Sequence, residues 1–130
     1  MHRQFDQLWA YLALGQRPGN AGQLGDRVRL LVRERAAERS GCRWCLDRAR
    51  HDWRSAGLPV DLLTQLDRHA VDPAFTEPER AALDLVDAVA CASDRAGEAL
   101  ARLRGHFSDR ATAELIACLA DHHLIAPEPR

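Results

Sequence analysis

The chain contains no lysine: all 18 of its basic residues are arginine. Isoleucine occurs twice and asparagine once, and this joint shortage points to a genome-wide compositional bias rather than to an arginine-lined binding surface. Against 19 acidic residues the formal net charge is −1, so there is no overall field to attract nucleic acid or an anionic membrane. No stretch reaches the ~18 consecutive apolar residues that suggest a membrane span. Met1 to Arg17 also lacks the apolar core of a signal peptide. The expectation is a soluble, cytoplasmic protein without nucleic-acid or membrane partners. Runs of β-branched residues and period-two alternation are missing as well, which argues against a sheet.

What is present reads as helix almost throughout. Ala, Leu, Arg, Glu and Asp dominate 130 residues, enough for one domain over positions 1–130 with a core that needs no disulfide staple. A first helix is expected from Arg3 to Leu14, with Phe5, Leu8, Trp9 and Leu12 on one face, followed by a glycine-rich loop from Gly15 to Gly25. Asp26 is expected to cap a helix through Arg39, with Val28, Leu31 and Val32 inward and its charges mostly outward. A helix follows almost at once and stops before Gly57. Pro59 opens a short one over Val60 to His69. Thr76 and Glu79 form a capping box for a long helix to Ala92. Shorter spacing predicts Arg95 to Arg104, and Ser108 caps a last helix through Leu124, with Pro127 ending the fold. Six or seven helices with short connections predict a compact all-α bundle.

The chemistry concentrates in Ser40-Gly41-Cys42-Arg43-Trp44-Cys45. A C-x-x-C is half of a zinc site, a redox pair, or two packed thiols. In a reducing compartment a structural disulfide is not expected, which favours catalysis or metal binding. With Ser40 or Gly41 as cap, Cys42 falls in the first helical turn, where free backbone N–H groups and the helix dipole stabilise a thiolate. Arg43 and Arg48 add positive charge. Cys91 and Cys118 fall among Ala, Val and Leu and read as core packing. Cys118 and His122 share a helical face, with His123 next. Together with Cys42 and Cys45 they leave a zinc site as the least favoured reading, and His122 as a base if its helix packs beside the pair. His69 and His106 fall near helix ends and are expected to face solvent.

These residues resemble the alkylhydroperoxidase-like branch of the carboxymuconolactone decarboxylase family. The resemblance is gapless from Leu31 to Asp47, includes Trp44 before the second cysteine and Ala56-Gly57-Leu58 after it, and returns at Phe75 to Leu83 and at His106-Phe107-Ser108-Asp109. It implies an all-helical homotrimer or hexamer and a thiol-dependent hydroperoxide reductase that needs no metal, haem or flavin. By position Cys45 attacks the peroxide to become a sulfenic acid, Cys42 resolves it as a disulfide, and a dithiol reductant, protein or small thiol, resets the pair. Phe5, Trp9, Tyr11 and Leu12 are the apolar residues expected to be buried between subunits.

Two positions depart from the family pattern. The relay histidine four residues after the second cysteine is replaced by Ala49, and the glutamate twelve residues before the first cysteine by Leu30. His51 is rotated by roughly 200° from position 49 and reads as a surface residue. Asp52 is two turns from Cys45. Glu34 and Glu38 precede Cys42 on the neighbouring helix, and Glu38 is the preferred substitute acid or base. A pair without a relay still exchanges thiols, which leaves a redox-sensing or exchange oligomer as the alternative to a working peroxidase.

Overall fold

A computed structural model of the chain describes Leu8, Ala10, Tyr11, residues 24–122, Leu124 and Ile125. Among the described residues there is no strand, and six α-helices run in order as α1 (Asp26–Ser40), α2 (Arg43–Ser55), α3 (Asp61–Thr64), α4 (Glu77–Ala90), α5 (Ala96–Arg104) and α6 (Asp109–Asp121), with a 3-10 turn at Leu66–Arg68. The expected all-α architecture is present. Most of the helix expected over Arg3 to Leu14 lies outside the described residues, as do most of the loop after it, His123 and Pro127. Leu8, Ala10 and Tyr11 are helical. None of the described helices is long and apolar enough to cross a membrane.

Local chemistry sets most of the boundaries. Thr76 Oγ1 accepts from the Glu79 N–H at 3.3 Å, and Glu79 Oε1 accepts from the Thr76 N–H at 2.9 Å, so the expected capping box opens α4. Ser108 caps α6 by accepting from the Ala111 N–H at 3.1 Å. Several boundaries differ from expectation. Gly25, not Asp26, is the N-cap of α1; Asp26 stands in the first turn, where its carboxylate faces the positive helix end and accepts from Arg29 at 2.8 Å. The segment after Pro59 splits at Gln65 into α3 and the 3-10 turn. Helix α6 ends at Asp121, with His122 as its C-cap.

Helix α1 is the centre of the fold, packed against α2, α4 and α6, while α4 also packs on α5. Its neighbours bury it on nearly every side, from Leu30 through Ala37 with only Arg33 half-buried. The main core joins Val32 and Ala36 of α1 to Leu85 and Val89 of α4, Leu100 and Leu103 of α5, and Leu115, Ile116 and Leu119 of α6, with Leu8. A second cluster gathers Leu30 and Leu31 around Trp53, with Leu62, Leu66, Phe75 and Leu83. The Trp53 indole N–H donates to the Pro59 carbonyl at 2.8 Å, which satisfies its one polar group inside that cluster. Tyr11 packs against the main core and donates to Asp109 at 3.1 Å, so it is engaged within the subunit.

The expectation that the charges of α1 mostly face out fails at Glu34 and Arg35, which are buried. Arg35 reaches Asp87 on α4 at 2.8 Å, Asp67 at 2.8 Å and Glu38 at 3.1 Å. Burial disfavours its charge, but the hydrogen bonds to these carboxylates outweigh that effect and hold its pKa above the ordinary arginine value. His69, expected in solvent, is also buried; its ring contacts the Leu66 carbonyl at 2.8 Å and Asp84 at 2.9 Å. Cys91, expected in the core, is exposed at the C-cap of α4 and lies 2.7 Å from the Arg39 guanidinium. Both differences arise where a helix ends, because there the chain turns and the face read from periodicity no longer applies. Arg35→Ala leaves three carboxylates without their common cation. Its stability in urea should fall by about 2–3 kcal/mol with an unchanged slope. Arg95→Ala, which removes an exposed pair, should change stability by no more than about 0.5 kcal/mol.

Candidate active site

The C-x-x-C is placed by the way α1 ends. Gly41 adopts a left-handed conformation, φ 71°, and its N–H turns back toward the Glu38 carbonyl. The Ser40 hydroxyl donates to the Ala37 carbonyl at 3.0 Å. Both residues expected to cap α2 are thus committed to closing α1, and the N-cap of α2 is Cys42 itself. Its sulfur accepts from the Cys45 N–H at 3.1 Å. The two Cα atoms are 5.2 Å apart and the sulfurs lie at bonding distance as a disulfide. Once reduced, both sulfurs stand at the positive end of α2, where backbone N–H groups favour a thiolate.

Cys45 opens onto a cavity of about 560 Å³ between α1, α2 and α6, whereas Cys42 is not part of its wall. From α2 the cavity is bounded by Cys45, Arg48 and the exposed Trp44. From α1 come Arg29, Val32 and Arg33, and from α6 come Glu114, Cys118 and His122. Arg29 donates to Glu114 at 2.7 Å and so ties α1 to α6 within the cavity lining. Arg33 pairs with Asp52 at 2.9 Å. Asp52 therefore acts as a charge partner for an arginine of the wall, and Arg48 approaches it at 3.6 Å. Cys118 is only partly buried by area, but desolvation of its sulfur pushes the thiol pKa up to about 12, so it remains protonated.

Neither Leu30 nor Ala49, where the sequence resemblance leads one to expect a relay, carries an ionisable group. Leu30 is buried in the second cluster beside Trp53, and Ala49 is buried in α2. His51 is exposed, as expected. Glu38 has its carboxylate engaged by Arg35 and does not reach the cavity wall. Glu34 is fully buried. One of its oxygens accepts from Arg50 at 3.3 Å and the other has no partner. Burial, reinforced by the nearby Glu38 carboxylate and opposed by Arg50, pushes its pKa up to about 7. Among the described residues no three His, Cys, Asp or Glu side chains are placed to hold a metal ion. Of the wall residues, Arg48 was read from the sequence as positive charge beside the pair, whereas Arg29, Arg33 and Glu114 had no signal there. Cys118 and His122 had one, in their four-residue spacing.

No family model matches the chain, and no curated protein does. Among solved structures it is similar, at 28% identity and a TM-score of 0.68, to a protein of unknown function from Agrobacterium tumefaciens provisionally assigned as the antioxidant defence protein AhpD. The match covers 92% of this chain and 81% of that one. The fold is AhpD-like. An AhpD-like helical frame thus carries, in this chain, a C-x-x-C whose second sulfur faces a cavity walled by three helices.

The buried Glu34 has a measurable consequence. Its folded-state pKa lies above the ordinary value of 4.5, so between about pH 4.5 and 7 the folded protein holds a proton that the unfolded chain has released. Its contribution to stability is complete below that window and is lost as pH rises through it. Glu34→Gln removes this loss. The variant should gain on the wild type by about 2 kcal/mol between pH 5 and 8 in urea unfolding, and parallel pH curves would show that Glu34 is charged in the native protein.

Proposed function

We propose that the chain is a thiol-dependent hydroperoxide reductase in which Cys45 attacks and Cys42 resolves. The observation that carries this reading is the asymmetry of the pair: Cys45 lines a cavity large enough for a small organic molecule, Cys42 does not, and the two sulfurs lie within bonding distance. The likeness to a protein provisionally assigned to antioxidant defence supports it.

The Cys45 thiolate attacks the terminal peroxide oxygen. An S–O bond forms, the O–O bond breaks, and the alkoxide leaves and is protonated to the alcohol. Sulfur is oxidised to a sulfenic acid and the peroxide is reduced. Cys42 then attacks the Cys45 sulfur and water departs, which gives the disulfide. A dithiol reductant, protein or small thiol, returns both cysteines to thiols by exchange.

A second reading is favoured by the burial of apolar Leu30 and Ala49 at the relay positions: the pair senses oxidation, or exchanges disulfides, without efficient turnover. Assay of cumene hydroperoxide consumption with dithiothreitol separates the two. In the enzyme, Cys45→Ser abolishes consumption, while Cys42→Ser, reduced beforehand and freed of dithiothreitol, supports one turnover and then retains a sulfenic acid detectable by dimedone labelling and mass spectrometry. Turnover that survives in Cys45→Ser would overturn the assignment. A disulfide that forms and reduces reversibly without turnover in the wild type would establish the second reading.

A further inference from the structure

We propose that His122, at the C-terminal end of α6, is the base that takes the Cys45 proton across the shared cavity. The inference deepens the thiol chemistry above and rests on it only for the steps after proton transfer.

The geometry assigns the ring a defined tautomer. His122 Nδ1 lies 2.9 Å from the Cys118 carbonyl oxygen. A carbonyl only accepts, so Nδ1 carries the hydrogen, and in the neutral ring Nε2 keeps its lone pair. A histidine oriented by a backbone carbonyl in this way has one nitrogen fixed and the other free as a base. It lines the same cavity as Cys45. The i, i+4 spacing of Cys118 and His122 puts both on the face of α6 that looks into that cavity.

The other groups facing the cavity leave this role open. From α1, Arg29 is paired with Glu114 and Asp26, and Arg33 with Asp52. From α2, Arg48 is 59% exposed and contributes positive charge that favours a thiolate at Cys45. On α6, Glu114 is occupied by Arg29, Asp121 lies one residue from His122, and Cys118 remains a protonated thiol. Among these side chains only the imidazole offers a nitrogen lone pair that is not held in an ion pair. In the catalytic step the Cys45 S–H proton passes to Nε2 through a water in the cavity, the thiolate attacks the peroxide, and the departing alkoxide takes the proton back from the imidazolium. The positions that usually supply this exchange are filled by Leu30 and Ala49; its place is taken from a different helix.

The test uses alkylation of Cys45 by iodoacetamide in the full-length Cys42→Ser protein, which reads the thiolate directly and requires no peroxide turnover. His122→Asn keeps an N–H donor near the Nδ1 position for the Cys118 carbonyl and removes the base. Adding it should move the midpoint of the alkylation pH profile upward by about one unit, with an unchanged thermal midpoint. His122→Ala should show the same shift and regain reactivity at pH 7 when free imidazole is added, which a purely structural histidine would not allow. In otherwise wild-type protein His122→Asn should lower hydroperoxide turnover by about 10²-fold. Superimposable alkylation profiles with and without His122, or no response to imidazole, overturn the proposal even if the protein is a peroxidase. A wild type that consumes no hydroperoxide but shows the shift and the rescue overturns the peroxidase reading and retains the His122–Cys45 couple.

Discussion

The structure depends on a central helix that is buried like a core helix but charged like a surface one. Helix α1 contacts α2, α4 and α6, yet only part of its sequence is apolar. Its arginines and glutamate must therefore find partners on the helices that cover them. Arg27 pairs with Glu79 and Arg35 with Asp87 on α4, Arg33 with Asp52 and Glu34 with Arg50 on α2, and Arg29 with Glu114 on α6. Partly buried pairs of this kind add little net stability compared with apolar packing, but a mispaired one is costly, so they discriminate among ways of docking the helices. The apolar clusters supply the driving force and the pairs select the arrangement.

The site inherits its geometry from that arrangement. The turn at Gly41 reverses the chain within two residues and leaves Cys42 as the cap of α2, which brings its sulfur onto the Cys45 N–H. The Arg29–Glu114 pair holds α6 against α1 and so sets the far wall of the cavity onto which Cys45 opens. Leu30 and Ala49 fit the same logic. Leu30 joins the packing around Trp53 and Ala49 is buried on α2, and at either position an acid or an imidazole would need a partner in a dry environment. Glu34 shows what such an environment does to a carboxyl: burial pushes its pKa up to about 7.

Much of the fold is legible in the sequence. The capping box at Thr76, the Ser108 cap, the glycine stops and the placement of the C-x-x-C at a helix start are local patterns spanning three or four residues, and they hold. The misreadings fall where the outcome depends on contacts between distant segments. The charges of Glu34 and Arg35 look solvated in the sequence because nothing in α1 itself says that three other helices will cover it. His69 looks exposed because Asp84, which meets it, lies on another helix. Cys91 looks like a core residue because the left-handed Ala92 that ends α4, φ 50°, carries no glycine to announce the stop.

The sequence alone determined the helices, most of their ends, and a cysteine pair close enough to bond, because hydrogen bonds and side-chain spacings within a single helical turn are fixed by backbone geometry. Only the tertiary structure decided which cysteine faces a cavity, which charges are buried, and that His122 stands in the same cavity as Cys45. Those features arise from the docking of α1, α2 and α6. Docking is set by the sum of many burial and pairing contacts between segments far apart in the chain, none of which leaves a local mark.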